Sequence, residues 1–487
     1  MKYFNLIMFT LILFFSSCGK QSADITILHW NDFHSHNIPW VPTRYNEAQH
    51  TVGGYALLDA YLDSLEIVFP GALRVNAGDD FQGSPVCAVT KGISQIEILN
   101  AVEPDFFTIG NHEFDYSWKY LDSLRQHLAD FPMYAANLIN VETDESAVPG
   151  CKIFHQNGYR FALIGLTHPQ MNFLTIPENM EGVRVADPAK TAQNIIDRLK
   201  KRGIQCFIVV THIGIEGDRE LAKAVPEIDL IIGGHSHTYM REAEQVNGVW
   251  IVQASAHGRY VGLTRFHIDQ GNITSLKMEY VETVAGRLKP SQDIAEIVMS
   301  YEAGLADKMN EVIGELKIPW IRSGGESNIG NWIADAFLDA VDADIAIMNN
   351  GGIRKNLAVG SILVRDIWEI APFGNTLVTY EWTGKEILEG LDNMVQKHRS
   401  LQFSGITMVL DREKGLIDAR VNGKSIDPEK IYTVVTNNYT ASQANNYFGL
   451  TVDSTVETGF IDRDVLIKAV RKNPIIISEI EGRIVYR

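Results

Sequence analysis

Apolar and polar positions along the chain follow two rhythms that take turns. "DITILHWNDFHSH" (24 to 36) begins as an alternating strand and breaks into polar residues at its end. "IQCFIVVTHIG" (204 to 214) and "EIDLIIGGHSH" (227 to 237) are continuous apolar runs, as expected of strands covered on both faces. Between such strands the period changes. "DPAKTAQNIIDRLKKRG" (187 to 203) spaces its apolar residues as a helix does, with Asp187 as its N-cap and Gly203 as its stop. Strands alternating with helices predict an α/β fold. With 487 residues the chain is too long for one core, so two domains are expected.

One apolar run stands apart. "FNLIMFTLILFF" (4 to 15) follows Lys2 and precedes "SSC", and it is too short for a comfortable membrane span. Residues 1–18 therefore read as an export signal resembling a bacterial lipobox, with Cys18 as the lipidated residue. Phe15 departs from the usual aliphatic residue three places before that cysteine, and a plain secretory signal is the alternative. The expected location is the periplasm or the surface of a bacterial cell. Cys87, Cys151 and Cys206 remain; their spacing fits no zinc motif, and they read as buried free thiols.

The formal net charge of −17 disfavours a nucleic-acid polymer as partner, since a phosphate backbone needs clustered Lys and Arg. A small phosphate ester held by a metal and a few arginines remains compatible with it.

The chemistry lies where the strands stop. Asp32 and His34, two apart, point to one side. "GALRVNAGDDFQGS" (71 to 84) ends in Gly78 and Asp79, and "TIGNHEFDYS" (108 to 117) brings Asn111, His112 and Asp115. The two apolar runs finish at His212 and at His235 and His237. Alone, each group is more often an ordinary turn or a hydrogen-bonded histidine than a metal ligand. Five strand ends carrying Asp, Asn and His, all on one edge of an α/β sheet, point to metal. Imidazole with carboxylate suits Zn, Mn, Co or Fe, and the donors outnumber the places around one tetrahedral zinc. Two divalent ions sharing a carboxylate would use them all.

"NDFHSH", "GDDFQGS", "GNHEFD", "THIG" and "GGHSH", in this order, resemble the five motifs of the calcineurin-like metallophosphoesterases, and more narrowly the 5′-nucleotidase branch. The resemblance spans roughly residues 24–285. It implies a four-layer sandwich of two mixed sheets flanked by helices. It also implies that Asp32, His34 and His237 hold one ion, that Asn111, His212 and His235 hold the other, and that Asp79 bridges; in some relatives the position of His237 is Gln. His112 is left free beside the phosphate, to stabilise charge or protonate the leaving oxygen, and Asp115 orients its ring. Asp115 alone would also suit a helix N-terminus. The expected reaction is in-line attack of hydroxide, made available near neutral pH by the cations, on phosphorus.

A mostly helical connector is expected over 289–320, followed by a smaller α/β substrate-binding domain over about 300–487. "DIAIMNNGGIRKNL" (344 to 357) ends a strand in Asn349 and Arg354, "APFGN" presents Phe373, and Tyr439 lies just past another strand. Two aromatic faces could sandwich a planar base, or could plug a small core; Arg322 and Arg354 could grip phosphate, or could be surface charges. The resemblance to the 5′-nucleotidase C-terminal domain assigns Asn349, Arg354, Phe373, Tyr439 and Arg322 to the substrate. Relatives commonly carry a Gly-Gly-Asp-Gly run after the second aromatic, whose Asp holds the ribose; here "SQANNYFG" stands instead, with Asn445 at that place.

The expected function is release of phosphate from nucleoside 5′-monophosphates or related nucleotides. Alternatives on the same centre are a 2′,3′-cyclic nucleotide phosphodiesterase, a nucleotide-sugar pyrophosphohydrolase, or hydrolysis of a sulfur or non-nucleoside ester. A nucleotide-binding lipoprotein with little turnover is the alternative of another class.

Overall fold

The structure is a computed structural model that describes residues 22–42, 50–452 and 454–487. The expected signal segment and Cys18 lie outside the described residues. Among these residues no helix is long and apolar enough to cross a membrane.

The N-terminal half is built on two six-stranded sheets. In the first, strand Ser22–Trp30 lies between antiparallel Tyr260–Asp269 and parallel Leu73–Asn76, which continues to parallel Phe106–Thr108 and Met133–Tyr134. In the second, Tyr159–Leu166, Phe207–Thr211, Leu230–Gly233 and Val249–Gln253 run parallel, edged by antiparallel Cys151–Gln156 and Glu244–Val246. Both sheets are therefore mixed.

The alternation of side chains explains how the layers stack. Ile25, Ile27 and Val75 of the first sheet meet Leu163, Ile208 and Val210 of the second in one buried cluster. The intervening Leu28 and Trp30 face the other way, onto helices Tyr55–Val68, Ile93–Val102 and Trp118–His127. Phe207 and Val209 likewise turn outward, onto Pro188–Lys200 and Gly214–Ala224. The result is helix, sheet, sheet, helix. Strands buried on both faces must be apolar throughout, as the continuous runs foretold. The Asp187 side chain accepts from the Lys190 amide and caps its helix.

Helix Gln292–Met309 occupies only the first part of the expected connector; Val312–Leu316, which opens with two β-branched residues, is a strand of the C-terminal half. That half centres on a five-stranded sheet in the order Leu401–Ser404, Ile345–Asn349, Ile431–Asn437, Thr376–Thr383, Val456–Ile461. Ala346, Met348 and Val435 pack in one cluster with helix Asn328–Ala340, while Ile347 and Val434 pack in another with helix Gly384–Gln396. Cys87 and Cys206 are buried free thiols; Cys151 is only half-buried, because it opens an edge strand.

Phe161 is fully buried between the two sheets. Phe161→Ala should lower stability by about 3–5 kcal/mol in urea titration, and Ile67→Ala, on the exposed side of its helix, should change it by less than about 0.5 kcal/mol.

Candidate metal centre

Both sheets turn their carboxyl ends to one edge, and there the chain bends sharply. Asp32, His34, Asp79, His235 and His237 all take positive φ, between 50° and 75°. That region is unfavourable for any residue with a Cβ, though Asp tolerates it better than most. The bends are clamped together. The Asp32, His34 and Ser35 amides donate to the carbonyls of Gly78, Asp79 and Asp80 at 2.8, 2.9 and 2.9 Å, so the first two loops run side by side. Gly78, with φ 90°, has no room for a side chain: a Cβ would lie 2.6 Å from the Thr108 carbonyl.

This edge gathers all seven residues expected as ligands. Donor atoms of Asp32, His34 and His237 form one group that could hold a metal, and those of Asp79, His212 and His235 form another. Asn111 Oδ1 joins the second, 2.8 Å from His235 Nδ1. Asp79 stands between the halves, with Oδ2 3.0 Å from His212 Nε2 and 3.9 Å from His34 Nε2.

The donor chemistry fits divalent cations. His212 Nδ1 donates to the Ala77 carbonyl at 2.6 Å, so in the neutral ring Nε2 is the lone-pair nitrogen. That Nε2 is buried and makes no hydrogen bond. His34 Nε2 and His237 Nε2 face each other at 3.0 Å, an arrangement that requires a proton or a cation between them. Burial works to raise the Asp79 carboxyl, but the charges of His212, His112 and His34 outweigh it and hold the group well below the usual carboxylate range. Burial works to lower His212, and Asp79 overturns this and lifts it to about 10. The cup therefore demands positive charge.

His112 stands at the same edge. Its Nδ1 lies 3.0 Å from Asp115 Oδ2, and its amide donates to Asp79 Oδ1 at 2.8 Å. Burial lowers this imidazole, and Asp115 and Asp79 more than compensate, so its pKa is raised.

The C-terminal half closes over this edge. The Phe373 ring stacks on His112, 5.6 Å between centroids at 28°. The Arg354 guanidinium lies 5.9 Å from the Phe373 ring centre, and the charges of Asp79, Asp115 and Asp32 act on it. Arg322 Nη1 donates to the Arg354 carbonyl at 3.0 Å. Tyr439 Oη donates to the Phe173 carbonyl of the N-terminal half at 2.8 Å. Asn349 instead points into its own domain, where its Oδ1 accepts from Asn437 and Thr440. Asn445 is exposed in the short helix Ala444–Phe448, and its carbonyl accepts from Lys397 Nζ at 2.7 Å.

Sequence reasoning missed the residues that hold the loops. Glu113 accepts from the amides of Gly110, Asp80, Asp79 and Phe81 at 2.7–3.2 Å, tying two ligand loops to one carboxylate. Asn31 donates to Asp32 Oδ2 at 2.5 Å and accepts from the Ala254 amide at 2.9 Å. Gln253 clasps the loop of His235 and His237: its Nε2 donates to the Gly234 carbonyl at 2.8 Å, and its Oε1 accepts from the Ser236 hydroxyl at 3.1 Å and the Thr238 amide at 2.5 Å. Glu113 and Asn31 adjoin ligands in the motifs; Gln253 carries no local signal at all.

A sandwich of mixed sheets with such a cup at the strand ends defines a metal-dependent phosphoester hydrolase, and comparison with known proteins agrees. Residues 25–239 match the calcineurin-like phosphoesterase family, and residues 312–451 match the 5′-nucleotidase C-terminal domain. Among relatives, the protein UshA of Yersinia enterocolitica is 29% identical, over 96% of this chain and 95% of its own. The 5′-nucleotidase of Vibrio vulnificus is 27% identical, over 95% and 93%. The solved structure of a 5′-nucleotidase precursor from Thermus thermophilus superposes with a TM-score of 0.87 at 27% identity, covering 95% of this chain and 99% of that one. The chain belongs to the calcineurin-like phosphoesterases that carry a 5′-nucleotidase C-terminal domain, and it is an enzyme of that metal-dependent hydrolase family.

Gln253→Ala should weaken divalent-metal binding about 10- to 100-fold, read by chelator competition, while Gln245→Ala on the surface leaves it unchanged.

Proposed function

We propose that the protein releases orthophosphate from nucleoside 5′-monophosphates or related nucleotides at a pair of divalent cations. Asp32, His34 and His237 would hold one cation and Asn111, His212 and His235 the other, with Asp79 between them. The observation that carries this reading is the meeting of two halves: a cup of carboxylates and imidazoles, and Arg354 and Phe373 brought against it from the other domain. When bound, the cations supply a nucleophilic hydroxide near neutral pH and positive charge for the phosphoryl oxygens.

The chain's own groups do the rest. The Asp115 carboxylate fixes the His112 ring and favours its protonated form, so that Nε2 can stabilise a phosphoryl oxygen or give a proton to the leaving oxygen. Arg354 offers a planar fork of donors to the phosphate. Phe373 gives a flat face for a base; in this arrangement it lies on His112 and would stack on substrate from there. The family match and the names of the relatives support a small nucleotide as substrate.

Export remains part of the proposal and rests on the apolar run before Cys18. A second reading, a phosphodiester or nucleoside diphosphate sugar as substrate, rests on Asn445: the segment that stands for the usual Gly-Gly-Asp-Gly run is a short helix here, with Asn445 on its exposed side.

AMP should release phosphate, chelator should abolish the release, and Mn or Zn should restore it. His112→Ala should lower kcat about 100- to 10,000-fold with nucleotide binding kept. Chelator-resistant turnover would remove the metal reading, and a His112→Ala protein as active as the parent would leave only a binder. In a panel with 2′,3′-cyclic AMP and UDP-glucose, AMP should be the best substrate.

A further inference from the structure

One more imidazole reaches the same edge. Strand Tyr159–Leu166 lies beside Phe207–Thr211, and two residues past its end stands His168. Its ring centre is 4.6 Å from that of His235, inclined at 48°, and the charges of His212 and Asp79 act on it. It is half-buried, so one side stays open to a ligand.

The tautomer of this ring is set by its neighbour. His168 Nδ1 accepts the Gln170 amide hydrogen at 3.1 Å. A neutral imidazole whose Nδ1 accepts carries its proton on Nε2. His168 is thus a donor, and it is absent from the groups of converging metal-ligating atoms.

Its loop is also the seam between the halves of the molecule. The Asn172 carbonyl accepts from Gln443 Nε2 at 3.1 Å, and the Phe173 carbonyl accepts from Tyr439 Oη at 2.8 Å. His112 lies beside His34 and Asp79, and His168 beside His235. His112 and His168 therefore flank different parts of the cup.

We propose that His168 is a further substrate-contacting residue, whose Nε2–H donates to a terminal oxygen of the phosphoryl group on the His235 side of the centre. A neutral donor adds direction without adding charge. A phosphate monoester has three terminal oxygens and a diester two, so an extra donor favours monoesters. The inference rests on the phosphoester-hydrolase reading but not on the nucleoside.

The test uses the metal-loaded enzyme with p-nitrophenyl phosphate as substrate and inorganic phosphate as inhibitor, neither of which carries a base. His168→Ala should lower kcat/KM and weaken phosphate inhibition, each about 10-fold or more, with bound metal unchanged. His168→Asn, which keeps an N–H donor, should recover part of both. Phosphate inhibition equal to that of the parent would overturn the proposal. So would a loss that follows the metal content, or a His168→Asn protein as impaired as His168→Ala. Poor hydrolysis of AMP beside normal hydrolysis of p-nitrophenyl phosphate would count against the nucleotide reading alone.

Discussion

Two carboxylates buried in the same cup, Asp32 and Asp79, are the constraint on which the rest of this structure depends. Both are almost wholly removed from water, and His212 Nε2 lies 3.8 Å from one and 3.0 Å from the other. Like charges so placed repel strongly at low dielectric, and the neighbouring imidazoles neutralise them only by taking up protons. Positive charge must come from outside the side chains, as protons or as metal. The cup is thus poor as a stabilising feature and good as a binding one. Its backbone adds to the burden: five residues of the proposed ligand set at positive φ cost on the order of 1 kcal/mol each, against a net stability of about 5–15 kcal/mol for a typical domain.

What offsets that burden lies just outside the ligands. Glu113 gathers four backbone amides, Asn31 steadies Asp32, and Gln253 fastens the loop of two histidines. Behind them stands the dry layer between the sheets, where residues such as Ile27, Val75, Ile208 and Ile232 are fully buried. Each contributes about 1.5–3 kcal/mol of burial. Rigid strands thus let strained loops keep one shape, which a precise donor geometry needs.

The second domain acts on this centre by position. Its connecting helix is anchored at both ends: Ile294 and Val298 sink into the N-terminal core, and Met309 into the C-terminal one. Tyr301 donates to Glu97, and Arg365 donates to Glu302, so the helix also links the halves through polar contacts. Arg354 and Phe373 reach the cup from that platform, a cation and a flat ring set against carboxylates and imidazoles.

The sequence by itself determined the α/β character, because strands covered on both faces must be apolar throughout and helices between them must repeat at their own period. It also marked the chemistry of the cup, because Asp, Asn and His at five strand ends leave few other uses for such a set. Only the tertiary structure decided which residues hold that set in place. Gln253 is far along the chain from Asn31 and Glu113, and nothing in its neighbours distinguishes it until the strands are side by side. Asn349 ends a motif strand, and that its Oδ1 accepts from Asn437 and Thr440 depends on how the strands are paired. His168 is the same lesson in reverse: a histidine in an ordinary turn by sequence, it gains meaning only because parallel strands end at one edge and set its ring beside His235.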